Sequence, residues 1–433
     1  MANFKPLRLA GLLLLLPAAL AHAEPMRSLT LREVLDLAQE NNPGVLAGEE
    51  GVRISTEYVK QARSALLPQV TGQVYQGRFR SMQDKGGPRM TPGTDNNFTA
   101  AFIADLSLID ARNIANFKTA KLDARAARYQ QLAAVEDTCA AAAAAYFFYE
   151  RSLSSLTVVE KSIELDEVLL SRARDRRAAN VATDLDVTRA EAALAGDRRR
   201  LLSAKTDLQS ARLSLLTLTG LDPSLEISIT RVPPPEPDAA ALPDWLTVLK
   251  SRPEYLAAQE LLERDRVAAK AAAWQRFPSL STQASYGNAS HTAFDDEGGT
   301  TWGVSATMTM PLFDSGSISS QKKQAYHLIR QQEHLIREIE AKIHSAYNLA
   351  VDSLSRRWEE LPLARENVRL AELELAYARD RFDAGVSDNS DVVTAQLSLA
   401  SARDALVDAE YRYQLARIDL ARVLGSVQSR LSE

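Results

Sequence analysis

The sequence predicts a mainly α-helical chain with a β-barrel part, laid down as a tandem repeat. Three observations carry that prediction. The second half of the chain echoes the first, heptad-spaced apolar seams run for many turns, and each half holds segments of strict two-residue alternation. The longest echo pairs Arg177–Gly220 with Phe382–Gly425 without a gap, at a constant offset of 205. Within it Asp186-Val187 matches Asp391-Val392. Earlier echoes are Asn42-Pro43 with Arg252-Pro253, Leu67-Pro68 with Phe277-Pro278, and Leu108-Ile109-Asp110 with Leu312-Phe313-Asp314. The offset is 210 at the second pair of prolines and 204 at the aspartates, so about six extra residues are expected in the loop from Asp84 to Asn97.

Residues 1–23 read as a secretory signal. Lys5 and Arg8 form a positive start, Leu9–Leu20 is apolar, and Ala21-His22-Ala23 offers a cleavage site. Losing those two charges would take the net charge from −5 to −7. The first repeat is assigned to 24–221, a proline-rich linker to 222–243, the second repeat to 244–425 and a tail to 426–433. Each repeat reads as an opening helix (29–66 and 244–276), a strand pair, a very long helix (112–178 and 316–383) and a returning helix. The long helices span roughly 100 Å at 1.5 Å per residue. Val187, Leu194, Leu201, Leu208 and Leu215 recur every seven residues on the returning helix, and Val392, Leu399, Leu406, Tyr413 and Leu420 repeat the pattern. Such heptads specify packed, supercoiled helices. Small side chains at Ala140–Ala145 allow close helix approach, and Cys139 beside them reads as a small buried hydrophobe.

The strands are read from alternation. Trp302, Val304, Ala306, Met308, Met310 and Leu312 alternate with Thr301, Gly303, Ser305, Thr307 and Thr309, and Phe98–Leu108 does the same in the first repeat. Weaker strands are placed at 69–80 and 279–289. No later segment supplies the 18 or so apolar residues of a membrane helix, but strand spans need only about 9–11 residues. Four transmembrane β-strands cannot close a barrel, because unpaired edges in lipid are too costly. The chain is therefore expected to supply a fraction of a shared barrel. Its apolar set would face lipid and its Ser, Thr, Gly and Gln set would face water.

Composition removes other classes. One cysteine in 433 residues excludes an intramolecular disulfide framework, and a net charge of −5 argues against nucleic acid as a partner. There is no GxSxG, P-loop, HExxH or GxGxxG, so neither an enzyme nor a cofactor is indicated. His327 and His334 lie about 10 Å apart along a helix, too far to share a metal. Asp295-Asp296-Glu297 lacks the spacing of a calcium loop.

Leu67-Pro68, Pro311-Leu312-Phe313-Asp314 and Arg381-Phe382-Asp383-Ala384-Gly385-Val386-Ser387 followed by Asp391, set in a duplicated chain, resemble the TolC-type outer-membrane efflux proteins. These are the outer-membrane factors of tripartite efflux and type I secretion systems. The resemblance implies a homotrimer with a shared 12-stranded barrel in outer-membrane lipid and an α-helical barrel crossing the periplasm. It implies docking on a periplasmic adaptor (membrane fusion protein) and an inner-membrane transporter, and export of drugs, metals or proteins.

The resemblance places function at the helix turns. Asn180, Val181 and Ala182 in one repeat, and Gly385, Val386 and Ser387 in the other, match the adaptor-docking tips; the plain alternative is helix–helix turns. Gly385 suits a positive φ, and Asn180 is the next best residue for it. Asp391 matches the first carboxylate ring of the pore; the second ring position is Thr394. Asp186 matches a gate link whose Tyr and Arg partners are here Phe382 and Ser387, which cannot make the same contacts. Asp186 and Asp391 can equally be helix N-terminal carboxylates. Arg172, Arg174, Arg176 and Arg177 read as a solvated helix end or as ion-pair partners of Asp380, Asp383 or Asp388. The alternative function is a trimeric structural coiled-coil or adhesin protein of the cell envelope. An adhesin should carry its strands once, at the C-terminus, whereas here they occur twice and internally.

Overall fold

Both halves of the chain lay down the same order of elements in the computed structural model, which describes residues 27–83, 91–236, 242–293, 298–387 and 389–431. The expected signal (1–23), the Asp84 end of the first hairpin loop and Asp295–Glu297 lie outside the described residues. The first half runs β1 (Arg27–Leu29), α1 (Leu31–Asn41), α2 (Pro43–Ser64), β2 (Gln69–Gln83), β3 (Thr91–Ile109), α3 (Ala111–Ala178) and α4 (Asp184–Thr219). After β4 (Ile227–Ile229) come α5 (Trp245–Ser251), α6 (Pro253–Trp274), β5 (Ser279–Ser290), β6 (Gly299–Thr309), α7 (Ser317–Asp383), α8 (Asn389–Leu424) and α9 (Val427–Leu431).

The opening helix of each half is two helices, which corrects the single helices expected at 29–66 and 244–276. The break falls at Asn42-Pro43 and Arg252-Pro253, where proline excludes helical φ/ψ from the residue before it. Thr30 caps α1 through the predicted box with Glu33. The long helices fall where the heptads place them. α7 continues through Pro362, which removes one backbone bond without ending the helix.

The sheet order is β2-β3-β5-β6, all antiparallel, so the two hairpins join through β3 and β5. Register aligns Gly72, Phe102, Tyr286 and Trp302 in one cross-strand row and Val70, Ala104, Ala284 and Val304 in the next. The opposite face carries Gln69, Asp105, Gln283 and Ser305, with Gln283 Nε2 donating to Asp105 Oδ1 at 2.8 Å. The predicted two-faced sheet is thus continuous across all four strands. Trp302 and Val304 are about three-quarters exposed, so nothing among the described residues covers the apolar face there.

Three details differ from expectation. Thr91–Asn97 is strand, so part of the first repeat's extra length extends its hairpin instead of forming loop. A bulge between Ser107 and Ile109 puts Ile109, not Leu108, opposite Leu280. β6 stops at Thr309, leaving Met310 and Leu312 beyond its end, because Pro311 cannot donate to a ladder. The matched aspartates Asp110 and Asp314 then do one job, accepting the first free N–H groups of α3 and α7. The bond from the Ile318 N–H holds the Asp314 carboxyl below the usual carboxylate range.

The expected linker is strapped to the helices. β4 pairs in parallel with β1, a contact that sequence periodicity did not predict. A proline-rich strap has few N–H groups but keeps its carbonyls, and buried phenols satisfy them. Tyr149 donates to the Ile227 carbonyl at 3.0 Å, Tyr413 to that of Pro235 at 2.5 Å, and Tyr347 to that of Pro243 at 2.9 Å. Tyr146 donates to the Thr230 carbonyl. Around Tyr146 lies the main core, with Leu35, Ala142, Ala143, Leu215 and Ile227, and Cys139 is buried in it. Burial pushes the Cys139 thiol up to about 11, leaving it inert at neutral pH. The expected tail carries α9, whose Val427 and Leu431 pack against the same core.

Tyr146→Phe keeps the packing but removes the hydrogen bond to the Thr230 carbonyl. It is expected to cost about 0.5–1.5 kcal/mol, read as a lower midpoint in denaturant unfolding.

Candidate functional site at the helix-hairpin tips

The turns between α3 and α4 and between α7 and α8 share one backbone design. Asn180 has φ 58° and Gly385 has φ 74°, so both carry the positive φ expected of them. The Val181 N–H reaches back to the Arg176 carbonyl at 2.9 Å, and the Val386 N–H to that of Arg381 at 3.0 Å. These six-residue rings close each helix with a left-handed residue. They leave Val181 and Val386 at the two apices, 63% and 71% exposed. Ala182 is half-buried behind Val181.

Each acidic residue of the tips has a distinct place. Asp186 is buried, and its Oδ2 accepts from the Thr183 N–H at 2.8 Å and the Thr183 hydroxyl at 2.7 Å. It closes a capping box on α4, which occupies the carboxylate locally. Thr183-x-x-Asp186 is the sequence signal for that box. Asp391 stands in the first turn of α8, half-exposed, with Arg381 Nη1 at 3.9 Å. Asn389 is fully buried, and its Nδ2 donates to the Asp186 carbonyl at 3.1 Å, tying the start of α8 to the start of α4. Asn389 Oδ1 and Ser387 Oγ are buried without a hydrogen-bond partner.

Phe382 does not line an aqueous opening within the chain. It is 4% exposed and belongs to a core in which all four long helices meet, with Leu170, Leu194, Leu375, Val392 and Leu399. Arg176 lies over its ring at 4.3 Å and donates to its carbonyl at 2.5 Å. Cation–π contact and a charge-assisted bond thus fasten the end of α3 to the end of α7.

The arginine cluster divides accordingly. Arg172 pairs with Asp383 at 3.2 Å, linking the two hairpins. Arg174 pairs with Glu191 and Arg177 with Asp184, both within the first hairpin. Asp388 lies outside the described residues. The ion pairs are exposed and each contributes little. Arg176, placed in the sequence only as one of four arginines, is the member that makes a specific clamp. Asn389 was not singled out at all, since nothing in its neighbourhood marks it as buried. Away from the tips, His327 and His334 are exposed, and among the described residues no cluster of three His, Cys, Asp or Glu is arranged for a metal.

The two turns should respond differently to substitution. Gly385→Ala forces a Cβ into positive φ and is expected to cost about 1–2 kcal/mol. Asn180→Gly is expected to change stability by only a few tenths of a kcal/mol. Hydrogen exchange of the two turns reads both effects.

Comparison with known proteins bears on the family and the overall fold. The family description "Outer membrane efflux protein" matches residues 34–221 and 247–426. The outer membrane efflux protein BepC of Brucella suis is 25% identical over 413 residues, covering 92% of this chain and 85% of that protein. The outer membrane protein OprJ of Pseudomonas aeruginosa is 27% identical over 420 residues, covering 91% and 84%. The CmeC outer membrane channel of Campylobacter jejuni superposes with a TM-score of 0.83 at 18% identity, covering 92% and 86%. With matches in both halves and a shared channel fold, the chain belongs to the outer membrane efflux protein family.

Proposed function

We propose that three copies of this chain form the outer-membrane exit duct of a tripartite transport system. One observation carries the reading: a four-stranded sheet with one apolar face and two edges, β2 and β6, that no other strand among the described residues pairs. In lipid such edges must find partners, and a second copy supplies them. Three sheets of four strands give a closed barrel of twelve. The tandem repeats, 24–221 and 244–425, then each contribute one hairpin to the barrel and one pair of long helices to the tunnel.

The helices support the same assembly. On α7, Ala364, Ala371 and Ala378 are buried against the chain's own helices. One residue earlier, Leu363, Leu370 and Tyr377 form a second seven-residue row that is 48–66% exposed. A helix with two adjacent apolar seams packs on two neighbours, and here the second neighbour is another copy. The result is a helical barrel below the membrane.

The tips then form the periplasmic mouth. Asn180, Val181 and Ala182 with Gly385, Val386 and Ser387 present paired apolar apices for an adaptor's hairpin, and the inner-membrane transporter delivers cargo through that adaptor. Asp391 supplies three carboxylates around the opening, which favour cations and focus the field. Asp186 supports the mouth by capping α4. Phe382, held by Arg176, is the clamp between the hairpins and not a pore-lining ring. Small toxic or exported molecules are the cargo class, in keeping with relatives named for toluene, antibiotic and pyoverdine export.

Two outcomes test this reading. Asp391→Ala is expected to lower cation selectivity in planar-bilayer recordings, and unchanged selectivity would contradict its place at the mouth. Val181→Asp with Val386→Asp is expected to abolish export in cells while the purified channel keeps its conductance.

A further inference from the structure

Between the tips and the core, α3, α4 and α8 enclose a small recess of about 20 Å³. Asp166 of α3, Asp197 of α4 and Gln396 of α8 line it, and each is more than nine-tenths buried. Both polar atoms of the Gln396 carboxamide lack a hydrogen-bond partner. Leaving a buried amide unsatisfied is costly, so a carboxamide placed here calls for something in the recess to bond with it. The Asp166 carboxylate faces Asp197 without a cation of its own.

The carboxylates around the recess outnumber the cations free to pair with them. Arg200 of α4 pairs with Asp197 at 3.3 Å. Arg403 of α8 lines the recess but is held by Glu372 of α7 at 2.9 Å. Arg198 is held by Glu167 and Arg151 by Asp408. Asp404 of α8 is half-buried with Oδ1 unpartnered, and burial raises its carboxyl as well. Thus Asp166, Asp197 and Asp404 share Arg200 as the cation not committed to a carboxylate outside the cluster.

We propose that this recess is a proton-binding site, in which one proton held by Asp166 and shared with Asp197 and the Gln396 carboxamide locks α8 onto the α3–α4 hairpin. The proton comes from water and returns to it; no other bond forms or breaks. As the side chains stand the Gln396 carboxamide bonds to neither carboxylate; a neutral Asp166 gains an O–H that can donate to Gln396 Oε1 or to Asp197 once the three close on one another. An ionised Asp166 leaves two like charges buried side by side. Burial first, and Asp197 second, push the Asp166 carboxyl up to about 6, with Arg200 opposing them.

The sign follows from proton linkage. The packed form binds the proton more tightly than an opened junction, where Asp166 would return to an ordinary carboxylate value. Packing is therefore weakest above about pH 6 and tightens as the pH falls towards 4. Acid should hold the α3–α4–α8 junction packed, and neutral pH should leave it free to part. This rests on contacts within one chain and does not depend on the export reading.

Hydrogen exchange of the full-length protein in detergent tests it, corrected for the intrinsic pH dependence of exchange. The amides of Val392–Arg403 are expected to be about tenfold more protected at pH 5 than at pH 7.5. Asp166→Asn is expected to show the acid-form protection at both pH values. Gln396→Leu, which removes the third partner and keeps the volume, is expected to move the midpoint to lower pH. A wild-type profile without pH dependence overturns the proposal, as does an unchanged profile in Asp166→Asn or an unchanged midpoint in Gln396→Leu. A pH response that disappears on chelating divalent cations overturns it in favour of a metal.

Discussion

A β-strand in lipid has no water to satisfy an unpaired backbone group, and most of this molecule answers to that constraint. Four strands per chain are too few to curl into a ring, so the sheet ends on β2 and β6 with their outer backbone groups open. The duplication meets the constraint economically. Each repeat contributes one hairpin, β3 and β5 join them inside the chain, and in the proposed assembly closure passes to neighbouring copies. The apolar face that carries Val70, Phe102, Trp302 and Val304 is then a lipid face and not a folding defect, although it leaves large side chains bare in a single chain. A helical barrel below follows from the same geometry, because α3 and α7 leave the sheet directly from capped strand ends.

Rigidity is placed where the halves must stay together. Around Tyr146 the first half, the linker and α8 share one core, and phenolic hydroxyls hold the strap. At the far end the contact is smaller and more polar. Arg176 on Phe382, Arg172 on Asp383 and Asn389 on the Asp186 carbonyl connect the two hairpins. Between these ends lies the recess of Asp166, Asp197 and Gln396, where packing is incomplete and charges are unbalanced. A duct that opens at its mouth needs this gradient, with strong packing above and adjustable packing below. Low local stability is the physical requirement for an element that moves.

Periodicity made the long helices and the strand faces readable, since both depend on residues close in sequence. The positive φ at Asn180 and Gly385 was legible for the same reason. Prolines 43 and 253 marked the helix breaks, but the apolar period runs across them and hid the interruption. The β1–β4 pairing and the tyrosine contacts to the linker join residues far apart in the chain, and no local pattern encodes them. Phe382 is instructive. The family pattern matches it to a gate-link partner, and the fold lays Arg176, a residue 206 positions earlier, over its ring. Gln396 looked like any polar helix residue, and only the convergence of three helices makes it an unsatisfied buried amide.

The central claim is that β2 and β6 are paired between copies. Hydrogen exchange of the assembled protein in lipid, with its mass measured on the same sample, tests this most directly. The account predicts a mass of three chains, with the amides of Gln69–Gln83 and Gly299–Thr309 protected as strongly as those of β3 and β5. A single-chain mass, or edge strands whose outward amides exchange freely, would contradict it.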